Sequence, residues 1–330
     1  MRRQLYKCAF FVFFMANLLL VHRLCKAQEG PKEPLSPRQE SREIERGGVL
    51  LPKGALMIEP GFQYSHTSRA RISISGFTIF EAIVIGEIVS EEVKRDILMP
   101  FVNFRYGITD RLEATLKVPW LYRRDEESWV EDSTTVERTV DDTGLGDIEG
   151  TVYYHLIREK GAIPDMVVNL RVKSPTGKDP YHLSTDDRGK PTELPTGNGH
   201  WGVSAGLSLS KTSDPAVLFA SANYYYNFER DVGGSYGKVK PGDSFEYGLG
   251  LAYALNEKLS ASLSYQQRLY WKTRQNGEDV AGTDLNVATL NFGISYVLSQ
   301  RTSVNITVGV GLTHYAPDVT VEMTIPIRVF

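Results

Sequence analysis

His66 and Ser68 stand two residues apart with only Thr67 between them. A serine hydroxyl beside an imidazole is the minimal pair for acyl transfer: the ring takes the hydroxyl proton and the oxygen attacks. Such a pair needs a third group to hold the imidazole in one tautomer. No Asp or Asn stands about twelve residues on, where Ile79 and Phe80 occur. Catalysis is therefore not expected, and the pair reads as polar groups at an interface. A second pattern is more extensive. Arg105, Glu113, Lys117, Glu149, Arg171, Lys173, Glu246, Arg268 and Lys272 lie in stretches where apolar and polar residues alternate, on the polar side of each. Charged side chains sharing one side of a sheet either line water or pair with one another, because unpaired burial is costly. The basic members Arg171, Lys173, Arg268 and Lys272 either favour anions or balance Glu113, Glu149 and Glu246.

The elements that position these residues are strands. Leu56, Ile58, Pro60, Phe62 and Tyr64 alternate with Met57, Glu59, Gly61, Gln63 and Ser65. The same period of two recurs from Arg111, Ser244, Lys258 and Arg301, and each run has one apolar and one polar or small face. Strands of roughly ten residues exceed the five or six usual in soluble sheets and match the span of a tilted membrane strand. The runs predict an all-β fold, an antiparallel transmembrane β-barrel with an even number of strands, about twelve. Expected strands lie near 55–68, 95–107, 111–123, 144–157, 164–174, 199–210, 215–228, 243–255, 258–273, 284–298, 301–314 and 318–330, with residues 69–94 extending the first pair as a tall hairpin. The charged run 123–142 is expected to be a solvated loop, with divalent cations a lesser reading.

Connections alternate between short ones, such as 107–111 and 256–258, and long ones, such as 175–198 and 229–242. Short turns on the periplasmic side and long loops outside are the barrel rule. Tyr106, Tyr154, Tyr253 and Tyr296 then fall at one strand end. Trp120, Tyr122, Trp201, Tyr226, Phe228, Phe245, Tyr247 and Trp271 fall at the other. Two aromatic girdles are expected where amphipathic rings meet the headgroups.

The N-terminus sets the compartment. Arg2, Arg3 and Lys7 precede an apolar run from Cys8 to Val21, and Cys25-Lys26-Ala27 offers a cleavage site before Gln28. This is signal-peptide anatomy. Residues 1–27 are expected to be removed, 28–48 to form a periplasmic arm, and 49–330 to form the barrel. Cys8 and Cys25, the chain's 2 cysteines, both fall in the signal, so no disulfide or thiolate site is available. The 42% hydrophobic content suits a barrel whose strands hide half their residues from lipid. A net charge of −3 gives no reason to expect nucleic acid. His155, His182, His200 and His314 are scattered, and no HExxH, CxxC or phosphate-cradling loop occurs, so no metal or cofactor is expected.

Gly47-Gly48-Val49-Leu50-Leu51-Pro52-Lys53-Gly54 with Ile58-Glu59-Pro60 resembles the start of the outer-membrane family named for the phenol meta-degradation pathway. Arg105-Tyr106-Gly107-Ile108-Thr109-Asp110-Arg111-Leu112-Glu113, Gly144-Leu145-Gly146-Asp147 and Ser174-Pro175-Thr176-Gly177 follow in the same order and spacing. The resemblance runs from about residue 47 to the end and implies a bacterial outer-membrane channel for small solutes, aromatic or hydrophobic compounds among them. The alternatives are a protein-export pore, a mainly structural barrel and a phospholipase-like hydrolase; an outer-membrane phospholipase is also a barrel with a lipid-facing His-x-Ser. The expected partners are outer-membrane lipid and lipopolysaccharide, a small-molecule solute, a second copy of the chain, and the barrel-assembly machinery through Phe330. Because Phe330 breaks the odd-numbered apolar parity of 319–329, a bulge is expected in the last strand.

Overall fold

The computed structural model describes residues 50–74, 88–131, 134–187 and 191–330. The expected signal peptide and arm, as well as Ile79 and Phe80, lie outside the described residues. The chain runs through β1 (Leu56–Ile74), β2 (Ile88–Thr109), β3 (Leu112–Glu131), β4 (Thr134–Leu145), β5 (Glu149–Ile157) and β6 (Asp165–Lys173). It continues through β7 (Gly202–Ser213), β8 (Ala216–Asn227), β9 (Arg230–Asp231), β10 (Lys238–Lys240), β11 (Ser244–Ala254) and β12 (Leu259–Tyr270). The last elements are β13 (Arg274–Gln275), β14 (Glu278–Asp279), β15 (Leu285–Ser299), β16 (Thr302–Gly311), β17 (Val319–Thr324) and β18 (Ile327–Arg328).

Fourteen of these belong to one antiparallel sheet, which closes on itself where β1 pairs with β17 and β18. β4 and β5 are successive halves of one wall strand, both paired with β3. β17 and β18 are likewise halves of another, so the closed barrel has twelve strands. Closure removes the sheet edges that could not be satisfied in hydrocarbon.

Alternation decides which residues face lipid. Along β2, Phe104 and Tyr106 are exposed while Phe101, Asn103 and Met99 are buried. Along β3, Leu116 and Trp120 are exposed while Glu113 and Leu121 are buried. Large apolar residues exposed outside and polar ones buried inside is the inverse of a soluble protein. Both girdles form: Tyr106, Tyr154, Tyr253 and Tyr296 are exposed at the short-turn end, and Trp120, Trp201, Tyr226, Phe245 and Trp271 at the other.

Three expectations are corrected. The run 123–142 is no loop: β3 and β4 pair from Trp120↔Leu145 to Glu131↔Thr134 as a tall hairpin. Its charges occupy both faces, which hides the apolar alternation on which the sequence reading depends. The last strand has no bulge. Gly61↔Thr324 and Met57↔Arg328 keep one register against β1, and Asn305↔Thr324 and Thr302↔Ile327 keep one against β16. Pro326 lacks the N–H for a ladder bond and merely interrupts the strand. The third correction concerns the end of β12: the strand stops at Tyr270, and 274–275 joins β9, β10 and β14 in a small separate sheet.

Candidate functional site

The lumen is built differently on its two sides. On the β1–β3 side the inward side chains are long. Arg105 lies against Glu113, with Nε donating to Oε1 at 2.8 Å and Nη2 to Oε2 at 3.2 Å, and lies 4.0 Å from Glu59. Asn103 donates to Glu59 at 2.6 Å. The chain entering β1 folds onto this cluster: the Leu51 N–H donates to Glu113 at 2.8 Å, and the Leu51 side chain packs with Ala55 and Met57. Toward the outer mouth the same wall becomes apolar. Ile97, Met99, Phe101 and Leu121 form a buried cluster on the lumen side. The Phe101 ring can lie flat on β1 because Gly61 stands opposite; a Cβ there would come 2.6 Å from the ring. Lys117 Nζ lies 4.5 Å from the centroid of the same ring.

Across the lumen, Tyr225 of β8 gathers the charges. Arg268 lies 3.8 Å from its ring centroid and Arg171 4.6 Å. Arg268 also donates to Ser244 Oγ at 2.9 Å and lies 4.9 Å from the Tyr270 ring. Arg171 donates to Glu149 at 2.9 Å, and the Tyr225 hydroxyl donates to Glu246 at 3.2 Å. Cation–π contacts of this kind are worth about 0.5–2 kcal/mol each. Of the four basic residues singled out in the sequence, Arg171 and Arg268 meet on one tyrosine. Lys173 stands apart, 3.5 Å from Asp147. Lys272 is displaced from the set: it is exposed, lying past the end of β12. Alternation through Trp271-Lys272 imitates a longer strand, but the chain there turns into the small outer sheet.

The outer mouth is organised by residues that the spacing argument passed over. Between β6 and β7 the tripeptide Pro-Thr-Gly occurs as 175–177 and again as 195–197. The two turns, in contact with each other, both clasp the junction of β4 and β5. Thr176 Oγ1 donates to the Gly146 carbonyl at 2.9 Å, and Thr196 Oγ1 to the Leu145 carbonyl at 2.7 Å. Asp147 accepts from the Gly177 N–H and the Asn198 N–H, both at 3.0 Å. Gly177 and Gly197 touch backbone to backbone, and a Cβ on Gly177 would lie 2.6 Å from the Gly197 Cα. The whole stretch 194–200 is buried. Below the tall hairpin, Asp142 accepts from Lys178 Nζ at 2.6 Å and from the Leu194 N–H at 3.0 Å. The repeated tripeptide was the available signal; its meaning depends on Asp147, which the chain reaches only by folding.

His200 latches this segment. Its Nε2 accepts from the Tyr181 hydroxyl at 2.6 Å, and its Nδ1 donates to the Phe228 carbonyl at 3.0 Å, so the geometry assigns the Nδ1–H tautomer. Burial pushes the imidazole down to about 4. The unfolded imidazole takes a proton below about 6.5, whereas the native one stays neutral until about 4. Stability is therefore unaffected above that range and falls as pH drops through it, by on the order of 3 kcal/mol. Corrected for intrinsic exchange, which slows in acid, the protection of the 194–200 amides is expected to fall between pH 7 and 4.5, and His200→Gln to flatten that dependence. Equal acid sensitivity in the variant would remove His200 as the cause.

Among the described residues no group of three or more His, Cys, Asp or Glu is placed to hold a metal. A closed barrel with an apolar belt, two aromatic girdles and a structured lumen defines an outer-membrane β-barrel protein. The chain belongs to the family described as the MetA-pathway of phenol degradation, which its residues 47–329 match. Among solved structures, an outer-membrane channel from Pseudomonas putida F1 aligns with TM-score 0.60 at 16% identity, over 85% of this chain and 97% of that one. The translocator domain of autotransporter NalP from Neisseria meningitidis aligns with TM-score 0.48 at 9% identity, over 88% and 93%. The CymD monoaromatic hydrocarbon channel aligns with TM-score 0.45 at 10% identity, over 88% and 90%.

Proposed function

We propose that the protein is a passive conduit through the outer membrane for small solutes with an aromatic or hydrophobic body. One observation carries this reading: Ile97, Met99, Phe101 and Leu121 face the lumen rather than the lipid. The four are only 2–8% exposed, so they form a packed apolar patch in the lumen wall, a lining suited to apolar solutes. The family's link to phenol degradation supports the same class of solute. The opposite wall adds Arg171 and Arg268 on Tyr225, which suits solutes bearing a carboxylate beside an aromatic ring. From β7 to β16 most inward residues of the wall are small: Ser204, Gly206, Ser208, Gly248, Ser262, Ser264, Gly293 and Gly309. These small residues leave room in the lumen beside the Tyr225–Arg268 cluster.

Lipopolysaccharide and phospholipid are the partners the girdles suit. Phe330, exposed at the end of the wall, is the element offered to the assembly machinery. Reconstitution in planar bilayers is expected to show stepwise ion conductance. Liposome uptake is expected to favour benzoate over a sugar of similar size, with Arg268→Gln lowering the preference by about 10-fold, one lost charge-assisted contact. A folded preparation with neither conductance nor uptake would refute the conduit.

A further inference from the structure

We infer that the barrel's outer face carries an acyl-ester hydrolase site made of Ser68, His66 and Asp96. No third group follows this pair along the chain. The fold supplies one from the neighbouring strand. His66 and Asp96 are direct cross-strand partners in the β1–β2 ladder, and Ser68 and Lys94 are the next pair on the same face. Asp96 Oδ1 accepts from His66 Nδ1 at 2.8 Å. The Tyr64 hydroxyl donates to the same oxygen at 2.6 Å and steadies the carboxylate. With the proton held on Nδ1, Nε2 is left as the base, the arrangement general-base catalysis requires. Ser68, two residues on along a strand, stands on the imidazole's side. Its backbone is fixed as well: the Ser68 N–H donates to Asp318 at 2.6 Å, and the Asp318 N–H donates to the His66 carbonyl at 2.9 Å.

The depth of the site identifies the substrate. On the outward face of β2, Phe104, Val102, Pro100 and Leu98 give way to Asp96 and Lys94. On β3, Leu116, Val118, Trp120 and Tyr122 give way to Arg124 and Glu126. The boundary between hydrocarbon and headgroup falls there, at the depth of the ester bonds of a glycerophospholipid. His66 and Asp96 are 33% and 38% exposed, so a lipid ester can reach them from the membrane. Ser68 Oγ attacks the ester carbonyl carbon while its proton passes to His66 Nε2. The tetrahedral oxyanion then collapses and expels the glycerol oxygen, which takes that proton from His66. The acyl-Ser68 ester is cleaved by water, which gives one proton to His66 and its oxygen to the departing fatty acid, restoring Ser68. Asp96 is a positioning residue.

The test uses the full chain, folded in detergent and verified by conductance in bilayers, with phosphatidylethanolamine vesicles and a long-chain sulfonyl fluoride. We expect fatty-acid release and one sulfonyl adduct on Ser68 by peptide mapping. Ser68→Ala abolishes the adduct and lowers release by at least about 100-fold. Asp96→Ala lowers release similarly and moves the pH profile, which a merely structural change would not, while conductance stays as in the unmodified chain. A conducting barrel that takes no label at Ser68, or releases no fatty acid, overturns the hydrolase and leaves the conduit standing.

Discussion

Asp147→Ala is expected to raise the single-channel conductance of the reconstituted barrel several-fold and to expose residues 174–201 to protease. The carboxylate accepts from two backbone N–H groups, those of Gly177 and Asn198, on two different turns. It also stands 3.5 Å from Lys173 Nζ, whose residue is only 4% exposed. Leaving each N–H unpaired costs about 1–3 kcal/mol, and a buried ammonium deprived of its counter-ion adds more. At the junction itself the two threonine hydroxyls on the 145 and 146 carbonyls remain, worth about 1 kcal/mol apiece, with Asp142 still accepting from Lys178 and the Leu194 N–H to one side. The clasp should then open while the barrel wall, held by ladder bonds below, persists. Asp147→Asn keeps one acceptor and should lie between. Unchanged conductance and unchanged cleavage in the alanine variant would show that the two turns are held elsewhere.

Asp125→Ala should be the most destabilising single change in the tall hairpin. Asp125 accepts from Arg123 Nη2 at 2.7 Å and Nε at 3.0 Å, and from Arg95 Nη2 at 2.8 Å. Arg123 and Asp125 are essentially inaccessible to water, at 0% and 2% exposure. Removing the carboxylate takes the shared counter-charge from buried Arg123 and from Arg95 beside it, a change expected to cost about 3–5 kcal/mol. Thermal unfolding in detergent should register it as a lower midpoint or a separate early transition. Adding Arg123→Leu should restore much of the loss, because the penalty lies in the uncompensated charge and the two substitutions share a contact. Purely additive losses would mean that water reaches the cluster.

The lining residues were legible to different degrees. Arg105, Glu113, Lys117, Glu149, Arg171, Glu246 and Arg268 follow from alternation alone, because a residue two places from a lipid-facing one faces the same way and its neighbour does not. Lys272 misled, since alternation persists for a few residues past the last barrel bond. The hairpin of β3 and β4 was missed for the opposite reason: outside the membrane neither face needs to be apolar, so Arg123, Arg124, Asp125 and Glu126 follow one another without a period. Asp96 and Asp147 were invisible as functional groups because their partners lie on other strands or loops.

The sequence by itself determined the barrel class, the sidedness of each membrane strand and the two girdles. Those follow from a local rule, that every second side chain of a membrane strand meets hydrocarbon and must be apolar. Only the tertiary structure decided which charges meet across the lumen, how the two Pro-Thr-Gly turns seize Asp147, and that Asp96 stands beside His66. Such meetings depend on register and closure, which set distances between residues far apart in the chain and leave no period along it.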